Sequence, residues 1–139
     1  MNILVISKYV PRPDQSSGDL RFFALLSMLA QSHQLWLWTE AKENNSVNCS
    51  SIDDLARLGI RSERGSIVQL LRREQFDLVF FEFYWVAGQL IDLVRVWQSR
   101  AIIVIDSVDV HFHRLRSQAR LSGLPADHEQ AEAVRRKEV

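Results

Sequence analysis

The stretch that decides the fold is NILVIS, residues 2–7, followed by the loop KYVPRPDQSSG, residues 8–18, and then by a helical pattern. The middle of the first stretch is a continuous apolar run, which is typical of a strand buried on both faces of a parallel sheet. Pro11 and Pro13 cannot donate to a sheet and mark the loop. From Asp19 onward, apolar residues recur at the spacing of one helical face. The opening therefore predicts a strand, a loop and a helix.

The same alternation continues along the chain. It predicts further strands at residues 35–39, 77–83 and 101–105, helices at 51–58, 65–74, 86–98 and 127–139, and a polar loop at 42–50 that contains Cys49. A capping box that begins at Ser51 is expected to open the second helix, Gly59 to end it, and Asp127 to cap the last one. Strands that alternate with helices, without two-residue hairpin turns, indicate right-handed parallel βαβ units. The predicted fold class is α/β, a doubly wound, mostly parallel sheet of the Rossmann-like kind.

Composition narrows the class of protein. A length of 139 residues fits one domain, and 17 basic against 17 acidic residues leave no net charge, so binding of nucleic acid through phosphates is not expected. A single cysteine excludes an internal disulfide and fits a reducing compartment. No apolar run reaches the roughly 18 residues of a membrane span. We expect a soluble, cytoplasmic domain.

The loop before the first helix is the first candidate site. In doubly wound sheets, ligands bind beyond the carboxyl ends of the strands, where this loop lies. It ends at Ser17 and Gly18, and a helix start offers unpaired amides that suit a phosphate or a sugar hydroxyl. The alternative is that Gly18 only relaxes a turn while Asp19 caps the helix. The chain lacks the G-x-G-x-x-G and G-x-x-x-x-G-K-[ST] patterns, which disfavours an NAD site and excludes a P-loop.

The segment IDSVDVHFHR, residues 105–114, is the second candidate site. In an extended chain, Asp109 and His111 would face the same side, where they could act on a hydroxyl proton or orient a sugar. A metal site formed by these two residues with His113 is disfavoured, because no further ligands have a recognisable spacing. For His113 we favour simple exposure to solvent.

The third candidate lies at the end of the strand at 77–83. Glu82 interrupts an apolar run, and a carboxylate in a buried strand needs either a ligand or a partner such as Arg21. Tyr84 and Trp85 follow it. Trp85 could stack on a sugar ring, although aromatic residues at such spacing more often belong to the core.

Residues 3–7, followed by Pro11, Pro13, the pair Ser17–Gly18 and Arg21, resemble the amino-terminal half of a GT-B-type glycosyltransferase of the large retaining group (group 1/4-like). The run at residues 104–111, with Arg114, is similar to the loop that precedes the interdomain region in that group. The resemblance covers nearly the whole chain. It departs from the family at residue 17, where many members have a second glycine.

The resemblance implies an enzyme of two Rossmann-like domains that face each other across a cleft. The amino-terminal domain mainly holds a sugar or lipid-linked acceptor, and the carboxyl-terminal domain mainly holds the nucleotide-sugar donor, with no cofactor and no metal. Gly18 would then lie near the donor, and Asp109 and His111 would face the cleft. The expected catalytic residues are His111, Asp109 and Glu82, and the expected binding residues are Ser17, Gly18, Arg21, Tyr84 and Arg114. A helix near residues 114–121 is a candidate for peripheral contact with the inner face of the membrane.

Residues 1–139 would then be the acceptor-side domain alone. The chain ends inside the helix predicted at 127–139, without a glycine to cap it, so we expect the donor-binding domain to be absent and the chain to be inactive as a hexosyltransferase by itself. The alternative is a non-catalytic α/β ligand-binding or receiver-like module. A receiver would need clustered acids after the first strand and a lysine on a late strand, whereas the first strand here ends Ser7-Lys8.

Overall fold

The computed structural model of the chain describes residues 1–40, 49–107 and 111–138. Five strands alternate with six helices: β1 (Asn2–Ser7), α1 (Ser17–Ala30), β2 (Gln34–Thr39), α2 (Cys49–Arg57), β3 (Arg61–Glu63), α3 (Ile67–Arg73), β4 (Leu78–Glu82), α4 (Tyr84–Trp97), β5 (Ile102–Asp106), α5 (His111–Ser122) and α6 (Pro125–Glu138). None of the helices in these described ranges is long and apolar enough to cross a bilayer.

All five strands are parallel and form one sheet in the order β3-β2-β1-β4-β5. The chain first builds outward from β1 to β2 and β3, and then crosses back to place β4 on the other side of β1. The strand order therefore reverses between β1 and β4, which is where doubly wound folds place their ligands. This order and the flanking helices confirm the predicted Rossmann-like fold class.

Helices cover both faces of the sheet, and each face has its own apolar cluster. Ile3 and Val5 of β1 point to the face that α1 and α2 cover, where Phe22 and Leu26 are buried against them. Leu4 and Ile6 point to the opposite face, which α3 and α4 cover. The alternation explains why the opening run is apolar at every position: both faces of β1 are buried.

Gly59 ends α2 as the sequence predicted. Its φ of 76° lies in the left-handed region that glycine adopts without steric cost. The Gly59 amide donates to the carbonyl of Ala56 at 2.9 Å, and the Ile60 amide donates to that of Leu55 at 3.0 Å, which is the hydrogen-bond pattern of a Schellman motif. Leu55 and Ile60 are both buried in the cluster on the α1 face, so the helix end also fixes the packing.

Several predicted boundaries were wrong. Helix α1 begins at Ser17, two residues before the helical pattern that was predicted from Asp19, and its cap is Ser16, whose side chain accepts a hydrogen bond from the Asp19 amide. Helix α2 begins at Cys49, so Ser51 lies inside it and Cys49 is not in a loop. The edge strand β3 was not predicted, because its three residues contain no apolar run. The segment after β5 was interpreted as extended, yet α5 begins at His111.

Candidate functional site

The candidate site lies at the carboxyl ends of β1, β4 and β5, at the point where the strand order reverses. Ser7, Glu82 and Asp106 are the last residues of these three strands. Alternate side chains of each strand point to the face of the sheet that α1 covers, and these three residues lie at such positions. Glu82 and Asp106 share this face because they are paired in the register of β4 and β5. The sheet therefore brings one hydroxyl and two carboxyl groups to the same edge and the same face.

Glu82 is buried, with 2% of its surface exposed, and it forms a hydrogen bond with the equally buried hydroxyl of Ser7. The Ser7 oxygen also lies 2.7 Å from the carbonyl oxygen of Tyr9 and accepts from the Tyr9 amide at 3.2 Å. A hydroxyl has one proton, so Ser7 cannot donate to both Tyr9 and Glu82. If Glu82 is protonated, its carboxyl donates to Ser7 and Ser7 donates to Tyr9, and the three groups are satisfied together.

The surroundings of Glu82 favour that protonated form. Burial raises its pKa from the ordinary value of 4.5 to about 7, and the nearby carboxylates of Asp19 and Asp106 raise it as well. A hydrogen bond donated by Ser7 to the ionised carboxylate and the charge of Arg21 lower the pKa, but they do not offset the burial. Glu82 is thus a carboxyl group that gains or loses its proton near neutral pH, which is a property found at many functional sites.

Arg21 forms an ion pair with Asp106, not with Glu82 as the sequence analysis considered. The arginine lies in the second turn of α1 and the aspartate ends β5, so the pair joins α1 to the far side of β4. The Asp106 side chain is 17% exposed and that of Arg21 is 49% exposed. Because the pair is partly exposed, its charges are available to a ligand at the edge of the sheet.

The start of α1 forms another wall of the site. Ser17 and Gly18 are the first two residues of this helix, and their amides lie in the first turn, which has no acceptors within the helix. A Cβ atom on Gly18 would meet only the side-chain oxygen of Ser16, at an ordinary 3.7 Å. The fold therefore does not require a glycine at this position, and the close approach of a ligand to Gly18 stays a prediction.

A tight turn joins β4 to α4 at the same edge of the sheet, and Phe83 and Trp85 pack against the cluster on the opposite face, which α3 and α4 cover. Phe83 is the single residue between them, and its φ of 76° is unusual for a residue with a side chain. The rings of Phe83 and Trp85 are stacked with centroids 4.3 Å apart, and Tyr84 packs edge-on against Trp85. An open cavity of about 490 Å³ lies here, lined by Tyr84, Trp85, Gly88 and Gln89.

The second predicted cluster, around Asp109 and His111, is only partly described. Asp109 lies outside the described residues, and His111 is described only as the first residue of α5. The expectation of an extended chain is therefore wrong at His111, whereas the helix expected near residues 114–121 is present as part of α5. Arg114 and His113 lie on α5 and are exposed. Within residues 1–40, 49–107 and 111–138, no group of three or more potential ligands is placed to hold a metal ion.

Sequence reasoning named Glu82 and Arg21 but did not identify the partner of either. Ser7 was named only as the end of the first strand, and Asp106 only as part of the segment at residues 105–114. A usable signal was present: Ser7 follows the buried Val5 by two residues and Glu82 follows the partly buried Phe80 by two, so each polar side chain must face the same way as an apolar side chain of the core.

No protein-family model, no curated protein and no solved structure matches this chain. Its function is therefore inferred from the residues of the site.

Proposed function

We propose that the chain is the acceptor-side domain of a GT-B-type glycosyltransferase, which holds a sugar or lipid-linked acceptor while a second domain binds most of the nucleotide-sugar donor. One observation carries the proposal. At the reversal point of a parallel Rossmann-like sheet, a buried carboxyl group with a pKa near neutrality, Glu82, lies beside the ion pair of Arg21 and Asp106. Exposed charged and polar groups at this edge suit the hydroxyl groups of a sugar.

The residues divide into two roles. The start of α1 and the Arg21–Asp106 pair are exposed enough to contact substrate. Glu82 is not, because only 2% of its surface is accessible. It acts on the loop before α1 through Ser7 and Tyr9, so we assign it as a positioning residue.

The chemistry itself is assigned from the resemblance. In the transfer, the acceptor oxygen forms a bond to the anomeric carbon of the donor sugar, and the bond from that carbon to the donor phosphate breaks. The acceptor hydroxyl loses its proton, which we assign to Asp109 and His111. Of the two, His111 lies within the described residues, as the first residue of the helix that follows β5.

The strand order supports this proposal over the receiver-like alternative. Receiver domains have the flavodoxin-like order, in which the first connection leads to an edge strand and the third strand lies on the other side of the first. Here β2 and β3 both lie on the same side of β1, and β4 is the first strand on the other side.

The test is genetic, because it leaves the protein as the cell makes it. Deletion of the gene should remove one sugar from a cellular glycan or lipid-linked glycan, measured by mass spectrometry. The wild-type gene should restore it, and Gly18→Trp should not, because an indole at the start of α1 blocks the approach of substrate. A glycan profile unchanged by the deletion would refute the proposal.

Met28→Trp is the matched control. Met28 lies at the opposite end of α1 and is 61% exposed, so the same large side chain is added far from the site. This variant should restore the glycan fully. Circular dichroism of both purified variants would verify that they are folded. If Gly18→Trp and Met28→Trp restored the glycan equally, the start of α1 would not be part of the binding site.

A further inference from the structure

The cavity at the start of α4, lined by Tyr84, Trp85, Gly88 and Gln89 and here called the aromatic cavity, is not used by the proposed function. It begins two residues after Glu82, so it adjoins the carboxyl edge of the sheet. Its aromatic walls are half-buried, whereas Gly88 and Gln89 are exposed. A volume of about 490 Å³ is within the range of small-molecule sites.

Gly88 is the most informative residue of the aromatic cavity. It lies inside α4 with an ordinary backbone conformation, and a Cβ atom at this position would meet nothing within 4 Å. Neither the backbone nor the packing requires a glycine here, and glycine inside a helix destabilises it relative to alanine. What the glycine does provide is an open space one turn after Tyr84, between the aromatic rings and the solvent.

The lining of the aromatic cavity indicates the chemistry of its ligand. Trp85 is held in place by its stack on Phe83, so its ring is already ordered before a ligand binds. The Gln89 amide offers both a donor and an acceptor to hydroxyl groups. None of the described residues that line the cavity carries a charge, which disfavours a phosphate or a carboxylate as ligand.

We infer that the aromatic cavity binds an uncharged sugar ring of the acceptor, with the apolar face of the ring against Tyr84 and Trp85 and a hydroxyl on Gln89. Gly88 then determines how large a ring fits. The inference rests on the proposed function, since it specifies which part of an acceptor this domain holds. It commits to a neutral pyranose and not to the nucleotide or the phosphate of the donor.

The test uses nuclear magnetic resonance of the ¹⁵N-labelled chain. The indole N–H signal of Trp85 is assigned by its loss in Trp85→Phe. Titration with methyl α-D-glucopyranoside, methyl α-D-mannopyranoside and methyl β-D-galactopyranoside, up to several hundred millimolar, should shift this signal in a saturable way for at least one of the three. Inorganic phosphate at equal ionic strength should not shift it.

Gly88→Gln fills the aromatic cavity with a polar residue that favours helix, and it should weaken binding by about tenfold or more. Val96→Gln is the matched control, because Val96 lies on the same helix, is 74% exposed and is remote from the cavity. This control should bind like the wild type. The inference is overturned if no glycoside shifts the Trp85 signal, if phosphate shifts it equally, or if Gly88→Gln binds as well as Val96→Gln.

The two proposals fail in different ways. If the gene deletion leaves every glycan unchanged while Gly88→Gln still abolishes a saturable sugar shift, the aromatic cavity is a sugar site in a protein of another function. If the deletion removes a sugar and Gly88→Gln restores it as well as the wild type does, the glycosyltransferase proposal stands and the cavity is not the acceptor site.

Discussion

Glu82 shows how a single buried residue can link the pH of the solution to the structure of a site. Its carboxyl lies between an uncharged partner, Ser7, and two other carboxylates, those of Asp19 and Asp106. The nearest cation, Arg21, is engaged by Asp106. Glu82 therefore keeps its proton at a pH at which an exposed glutamate has lost it. The loop before α1, which contains Tyr9, is held through this protonated group.

A stability profile against pH would reveal this protonation. The pKa of Glu82 is about 7 in the folded chain and near 4.5 when exposed, so the unfolded state loses its proton first. The free energy of unfolding should fall by on the order of 3 kcal/mol as the pH rises from about 4.5 to about 7, and it should level off above that. The measurement is urea denaturation of the wild type and of Glu82→Gln between pH 5 and pH 8.

Glu82→Gln cannot ionise, so it should lack this part of the decline and be the more stable of the two proteins at pH 8. Other titrating groups are common to both proteins and cancel in the difference. Parallel profiles for the two would contradict a raised pKa at Glu82.

At the scale of the elements, the five glycines have different roles, and local structure decides which. Gly59 occupies the left-handed position that ends α2, whereas Gly88 lies in regular helix. Both have open space where a Cβ atom would be added. The two glycines therefore differ only in backbone conformation, and this difference should decide how substitution by alanine changes the stability of the protein.

We predict opposite effects on stability for the same substitution at these two positions. Gly59→Ala should lower the free energy of unfolding by about 1 kcal/mol, because alanine is strained at a φ of 76°. Gly88→Ala should raise it by about 0.5–1 kcal/mol, because alanine favours helix and meets no neighbour. Urea denaturation of both variants measures this. A loss of stability in Gly88→Ala would mean that the glycine is needed for folding, and not for an open cavity.

The elements also show what a sequence reveals about structure and what it leaves out. The strands β1, β4 and β5 were predicted within about a residue at each end because buried parallel strands are apolar at every position, and Gly59 was predicted as a helix end from its conformational freedom. The edge strand β3 has no such pattern. The partners Ser7–Glu82 and Arg21–Asp106 were not predictable from spacing, since 75 and 85 residues separate them and only the strand order brings them together.

At the scale of the whole molecule, one buried side chain joins the α3–α4 layer to the sheet. Gln98, at the end of α4, is 3% exposed. Its amide nitrogen donates to the carbonyls of Leu71 and Glu74, both at 2.8 Å, and its oxygen accepts from the amide of Phe76 at 3.0 Å. The end of α3, the residues that lead into β4 and the end of α4 are therefore held together by the side-chain amide of Gln98.

Gln98→Ala should destabilise the protein by about 2–4 kcal/mol, because it leaves three backbone groups without their partner and opens a cavity. Gln118→Ala is the control, since Gln118 is exposed on α5 and should change stability by less than about 0.5 kcal/mol. Chemical denaturation at one pH compares the two with the wild type. Equal stability of both variants would show that water replaces the lost hydrogen bonds.

The central position of β1 has a consequence for the way the chain folds. Its backbone is joined to the start of β4 by the bond from the Asp77 amide to the Asn2 carbonyl at 2.9 Å, across 75 residues. During synthesis β1 is thus made about 75 residues before β4, the second of its two neighbours in the sheet. Until then its apolar edge has no partner and is open to pairing with another molecule, so slow folding and self-association of the nascent chain are the hazards that this topology imposes.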